Sequence, residues 1–226
     1  MKKFILLITM LTITVLGFSQ QKKVRFGIHG GINIANINSK FTYSNFGTSY
    51  TTDLPFSSII GLTGGVHAEI HLGNNFYLQP ELSYSQLGAK NVSSNSDTTI
   101  SSQQLELKSI LHYMVLPVLV KYKLAKTGAS IFVGPQYGYL LGVTNKINST
   151  TINEEDNSNY KSDISGIFGA EYYFPIRIGI SARYQLGITN IQKPEYFDTS
   201  TLPQGVVANS ISVRNSAFTF TIGYRF

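Results

Sequence analysis

The chain has 226 residues, a formal charge of +6, only 13% charged residues, 14 Tyr, 14 Phe, 20 Gly and no Cys. That length suits one domain, and the lack of cysteine excludes a small disulfide-stapled fold. Basic residues scattered along predicted strands exclude a nucleic-acid interface, and beyond the N-terminus no apolar run reaches the roughly 20 residues of a spanning helix.

In chain order the first element is a leader. Lys2 and Lys3 form a positive n-region, residues 4–16 an apolar h-region, and Gly17-Phe18-Ser19 a small-residue cleavage site. This pattern predicts a secretory signal peptide over 1–19, leaving one domain over 20–226. The h-region is too short for a spanning helix, and no Cys follows it to carry a lipoprotein anchor.

Eight alternating segments follow. Residues 24–35 set Phe26, Ile28, Ile32 and Ile34 against Gly27, His29, Gly31 and Asn33. Residues 58–72 set Ile60, Leu62, Val66, Ala68, Ile70 and Leu72 against Gly61, Thr63, Gly65, His67, Glu69 and His71. A tight turn at Gly73-Asn74-Asn75 leads to 76–87, with Phe76, Leu78, Leu82 and Tyr84 opposite Tyr77, Gln79, Glu81, Ser83 and Ser85. In 109–124, Leu116, Val118, Val120 and Tyr122 oppose Pro117, Leu119, Lys121 and Lys123. After the turn at 125–128, residues 129–143 set Ile131, Val133, Tyr137, Tyr139 and Leu141 against Phe132, Gly134, Gln136 and Gly138. Residues 163–173 oppose Ile164, Phe168, Ala170 and Tyr172 to Asp163, Ser165, Gly169 and Glu171. In 176–188, Ile176, Ile178, Ile180, Ala182, Tyr184 and Leu186 oppose Arg177, Gly179, Ser181, Arg183 and Gln185. The last segment, 216–226, alternates Phe218, Phe220, Ile222, Tyr224 and Phe226 with Ala217, Thr219, Thr221, Gly223 and Arg225.

Period-two alternation places each set on one face of a strand. The connections alternate in length: 36–57, 88–108, 144–162 and 189–215 are long and polar, and the three between them are tight. This predicts an all-β fold, an eight-stranded antiparallel up-and-down transmembrane β-barrel with short periplasmic turns and long extracellular loops. An even strand number puts both ends of the barrel domain on the periplasmic side. A soluble lipocalin-like barrel has the same alternation turned inside out. The polar faces carry Gly, Ser, Thr, Gln, Glu and Arg, which suits a narrow lumen better than a water-facing exterior rich in Lys and Glu. Phe76, Tyr84, Tyr122, Tyr137, Tyr139, Tyr172, Tyr184 and Tyr224 fall near strand ends, as interfacial girdles require.

Several segments resemble the PorT-like family of outer-membrane β-barrel proteins. They are GIHGGINIA at 27–35, HYMVLPVLVKYKL at 112–124, IFVGPQYGYLLG at 131–142, ARYQLGITNI at 182–191 and the terminal FTIGYRF. The resemblance implies a Gram-negative outer-membrane location and a barrel fold. The name-giving member is associated with a protein secretion and gliding apparatus. It also implies that the barrel-insertion machinery reads the terminal aromatics, Tyr224 and Phe226, as an assembly signal.

An eight-stranded barrel has an interior that side chains just fill, so an inward charge needs a partner there. The inward charged set is His67, Glu69, Glu81, Lys121, Glu171, Arg177, Arg183 and Arg225. Its expected role is a structural plug of ion pairs; the alternative is a narrow ion or small-solute path. No catalytic residue, cofactor or metal site is expected. There is no G-x-S-x-G elbow, P-loop or dinucleotide fingerprint. In HAEIH the spacing of His67 and His71 spans about 13 Å on a strand, too far for one shared metal. The aromatic stretch 41–50, the Ser/Thr/Asn-rich 91–104, the acidic run 153–156 and the charged-aromatic 193–197 offer loop surfaces for a protein partner. The expected function is a structural or interaction role in the outer membrane, surrounded by its lipid. A lipid-modifying enzyme is the least favoured alternative.

Overall fold

The computed structural model describes residues 24–45, 48–54, 56–93, 105–125, 127–147, 150–154, 162–191 and 206–226. The expected signal peptide, most of the 91–104 stretch, Glu155 and Asp156, and 193–197 lie outside the described residues.

Among the described residues there are ten strands: β1 (Val24–Asn45), β2 (Thr48–Leu54), β3 (Ile59–Gly73), β4 (Phe76–Ser93), β5 (Leu105–Lys123), β6 (Ala129–Ile147), β7 (Thr150–Glu154), β8 (Asp163–Tyr173), β9 (Ile178–Gly187) and β10 (Val206–Arg225). All but β2 and β7 pair antiparallel with their sequence neighbours in the wall, and β1 against β10 closes the ring, from Gly27↔Arg225 to Ala35↔Ala217 and beyond. The eight-stranded closed barrel is therefore as the alternation predicts. Closure leaves no free sheet edge within the wall, which hydrocarbon demands.

The apolar set of each strand faces outward. Ile28, Leu62, Val118, Val133, Phe168, Ile180 and Phe220 are all exposed on the outer face, a band suited to lipid. Ring pairs mark its two rims. Phe76–Tyr122 (5.1 Å between centroids) and Tyr172–Phe174 (4.9 Å) stand at the short-turn end, and Phe168–Tyr184–Phe218 (5.5 and 4.6 Å) toward the other. The turns need backbone that few residues adopt: Gly128 has φ +75°, where a Cβ would also crowd the Tyr173 carbonyl.

Two expectations are corrected. The long connections are not simply loops. β1 runs on to Asn45 and β2 folds back on it (Tyr43↔Tyr50), β7 folds back on β6 (Asn145↔Ile152), β4 and β5 stay paired to Ser93↔Leu105, and β10 begins at Val206 rather than 216. A ladder already in register lengthens by one residue pair at a time, and above the lipid band either face of the ribbon tolerates polar side chains. The interior, moreover, is not polar throughout. Toward the long-loop end it holds an apolar core that includes Ala35, Ile37, Ile59, Leu87, Leu111, Tyr113, Leu140, Val143, Ile191, Val213 and Ala217. Leu119, Phe132 and Ile167 form a smaller cluster.

Candidate functional site

Odd-numbered side chains of β1, β3, β4, β5, β8, β9 and β10 turn inward, so charges far apart in sequence converge in the lumen. Near the short-turn end, Glu69 of β3 is 1% exposed and is ringed by four cations. They are Lys121 Nζ at 3.1 Å and Lys123 Nζ at 2.7 Å from β5, Arg225 Nη1 at 3.4 Å from β10, and Arg25 Nη1 at 3.8 Å from β1. Glu171 Oε1 of β8 is 2.5 Å from Lys121 Nζ, an ion pair whose geometry is off line for a hydrogen bond. Gln79 joins this layer to the next: its Oε1 accepts from Lys121, and its Nε2 donates to Glu81 Oε1 at 2.7 Å. Across the lumen, Arg183 of β9 forks onto Glu81 of β4, at 2.8 Å from Nη1 to Oε2 and 3.4 Å from Nη2 to Oε1. Two-point contact of this kind fixes direction as well as charge.

Beside that fork lie two imidazoles. His29 and His67 stack at 5.7 Å between centroids, with their Nδ1 atoms 3.4 Å apart. His29 Nε2 is 3.0 Å from Ser83 Oγ, while His67 Nε2 has no hydrogen-bond partner among the described residues. Higher in the lumen, Asn33 Nδ2 donates to Ser85 Oγ (2.9 Å), and Thr219 Oγ1 donates to Asn33 Oδ1 (2.8 Å). Asp163 Oδ2 accepts from Gln185 (3.1 Å) and Asn215 (3.4 Å).

Of the charged set expected inward, His67, Glu69, Glu81, Lys121, Glu171, Arg183 and Arg225 line the lumen. Arg177 does not. It stands exposed in the turn between β8 and β9 with φ +67°, where its carbonyl accepts from Arg225 N at 3.0 Å. Closing that hairpin takes Phe174 to Arg177 out of the ladder, so strand alternation does not extend back to Arg177. Arg25, His29, Lys123 and Asp163 also have the inward parity but stand outside the expected charged set. The Ser83–His29 contact bridges 54 residues and leaves no local motif. His71 lies apart from His67, its Nε2 3.0 Å from the Asn74 carbonyl in the turn.

Chemically, among the described residues, the middle of the lumen is filled. The gaps beside His29, His67 and Arg183 measure about 10 and 20 Å³, room for about one water each. A serine next to an imidazole is the start of a nucleophile–base pair, but these gaps admit no acyl substrate. Tyr224 and Phe226 point outward, their rings edge-on at 5.4 Å, and Phe226 N donates to the Phe26 carbonyl at 2.9 Å.

Residues 18–193 match the family model described as outer membrane protein beta-barrel domain. No curated protein sequence matches the chain. Among solved structures, Neisserial surface protein A is similar at 12% identity, covering 89% of this chain and 97% of that one with a TM-score of 0.43. OprG from Pseudomonas aeruginosa is similar at 11% identity over 91% and 97%, TM-score 0.47. Ail, the attachment invasion locus protein of Yersinia pestis, is similar at 12% over 90% and 99%, TM-score 0.39.

Proposed function

Because the chain belongs to the outer membrane protein beta-barrel domain family, we propose that it is a non-conducting, non-enzymatic barrel that presents its extracellular ribbons to a protein partner. The observation that carries this reading is the contrast between its two halves. Among the described residues the middle of the lumen is packed shut, with gaps of about 10 and 20 Å³. The β1–β2 hairpin, the β4–β5 extension, β7 on β6 and the start of β10 continue past the lipid band as ordered ribbon. Rigid strands that outrun the membrane supply a surface on which side chains hold fixed positions, which favours recognition. Along the first ribbon Phe41, Tyr43 and Tyr50 stack with centroids 5.5 Å apart, the residue types that anchor interfaces.

The resemblance to PorT-like proteins extends the reading to a finer role in an envelope or secretion assembly, with the insertion machinery engaging Tyr224 and Phe226 during biogenesis. Cross-linking in intact cells tests it. The wild-type barrel is expected to capture a defined envelope protein, and replacing residues 40–53 by a short Gly-Ser turn should abolish that capture while the barrel still assembles. Discrete conductance steps in a planar bilayer, altered by Arg183→Gln, would favour the channel reading instead.

A further inference from the structure

We propose that the periplasmic mouth of the barrel is a binding pocket for a phosphate-type oxyanion. A cavity of about 330 Å³ opens at the short-turn end, and its walls include Arg25, Lys123 and Arg225 together with Asn75, Tyr77 and Tyr173. Short turns mark the periplasmic end of such barrels.

The charge count around this cavity does not balance. Arg25, Lys121, Lys123 and Arg225 all lie within 4 Å of Glu69, and among the described residues only one further side-chain carboxylate, Glu171, reaches the cluster, through Lys121. Four cations against two carboxylates leave an excess of two positive charges in a wall whose outer face is lipid. The next charges inward, Glu81 and Arg183, neutralise each other; Arg177, exposed on the adjoining turn, adds a further positive charge. Uncompensated charge beside a low-dielectric medium is costly, and a bound counter-anion relieves it. A multiply charged anion such as a phosphate dianion answers this positive excess.

The donors are also arranged for capture rather than for internal pairing alone. Lys121 is fully buried, hydrogen-bonded to Glu69 and Gln79 and ion-paired with Glu171. Arg25 is about half exposed, and Lys123 and Arg225 are about one-fifth exposed, so each keeps donor capacity turned to the cavity. Two tyrosine rings hold the cations in place, Tyr77 beneath Lys123 Nζ at 3.8 Å and Tyr173 beneath the Arg225 guanidinium at 4.2 Å. Two guanidinium forks and an ammonium converging on one cavity is a donor set matched to tetrahedral phosphate oxygens. Such a group reaches the site either as free phosphate or as the headgroup of an inner-leaflet phospholipid, whose phosphates lie at the depth of this rim.

The test uses the full barrel, with heat-dependent gel mobility checking the fold of every variant. In the first arm the protein in maltoside detergent is titrated calorimetrically with inorganic phosphate at constant ionic strength. In the second, barrels reconstituted in phosphatidylcholine nanodiscs with or without phosphatidylglycerol are released and weighed by native mass spectrometry. Saturable phosphate binding, retained phosphatidylglycerol, or both, weakened about tenfold or more in Arg25→Gln/Lys123→Gln, is the expected result and identifies the source. Arg25→Gln alone, which leaves the three closer cations on Glu69, is expected to weaken binding without affecting assembly. The proposal is overturned if neither probe binds the wild type, or if both bind the double variant equally well.

Discussion

Glu69 carries more of the interior's electrostatics than any other described side chain, because four cations from β1, β5 and β10 share its one carboxylate. Glu69→Gln removes the negative centre while leaving those cations together, and breaking a buried pair in this way costs about 3–5 kcal/mol. The expected outcome is a clearly lower urea midpoint, followed as the ratio of folded to unfolded bands on unheated gels. Glu81 and Arg183 make the complementary case, a two-point pair in which Glu81 also accepts from Gln79 and Arg183 lies over the Phe132 ring. Arg183→Gln should destabilise more than Arg183→Gln/Glu81→Gln, since the single change strands a buried carboxylate and the double change removes both charges. A double-variant midpoint at or below that of Arg183→Gln would show that the fork itself stabilises the barrel. At the seam, Gly31 is held by close approach: a Cβ there would collide with the backbone of Phe220 on β10, so Gly31→Val is expected to impair closure, read as loss of the compact gel band.

Individual strands show which of their features are dictated by lipid and which by neighbours. Val118 faces outward on β5, four residues from Tyr122 of the short-turn rim and paired with Pro80. An arginine at mid-bilayer depth costs about 2–4 kcal/mol, so Val118→Arg should fold poorly into vesicles, and wild-type yield would argue against that depth. Within this band the two faces alternate without interruption, and period-two patterning makes them legible from residues such as Val118, Lys121 and Glu171. Above it the rule lapses. On β6, Leu141 is the extra residue of a bulge, with Leu140 paired to Tyr113 and Gly142 to His112. The parity therefore flips, and Val143 joins the apolar core. A pattern scan has no means of placing that extra residue, which is why the inward turn of Val143 is illegible in it.

As a whole, the molecule combines a closed wall with a filled interior, polar and charged toward the periplasm and apolar toward the cell exterior. Purified barrels in planar bilayers should therefore show no discrete conductance at neutral pH, and stable steps would demand that the Glu81–Arg183 fork open. Deleting Phe226, whose amide joins the seam at the Phe26 carbonyl, is expected to slow assembly in pulse-chase gels, and unchanged kinetics would remove any role for the terminal ring. What the amino-acid order determines by itself is the number of strands in the barrel wall, the outward face and the barrel class, because alternation is a local property that a lipid band and a narrow lumen each demand along a single strand. Only tertiary closure decides the rest. The gathering of Arg25, Lys123 and Arg225 around Glu69, the meeting of His29 with Ser83, and the exclusion of Arg177 from the lumen depend on register between strands and on turn geometry. These bring together residues whose spacing along the chain holds no trace of their contact.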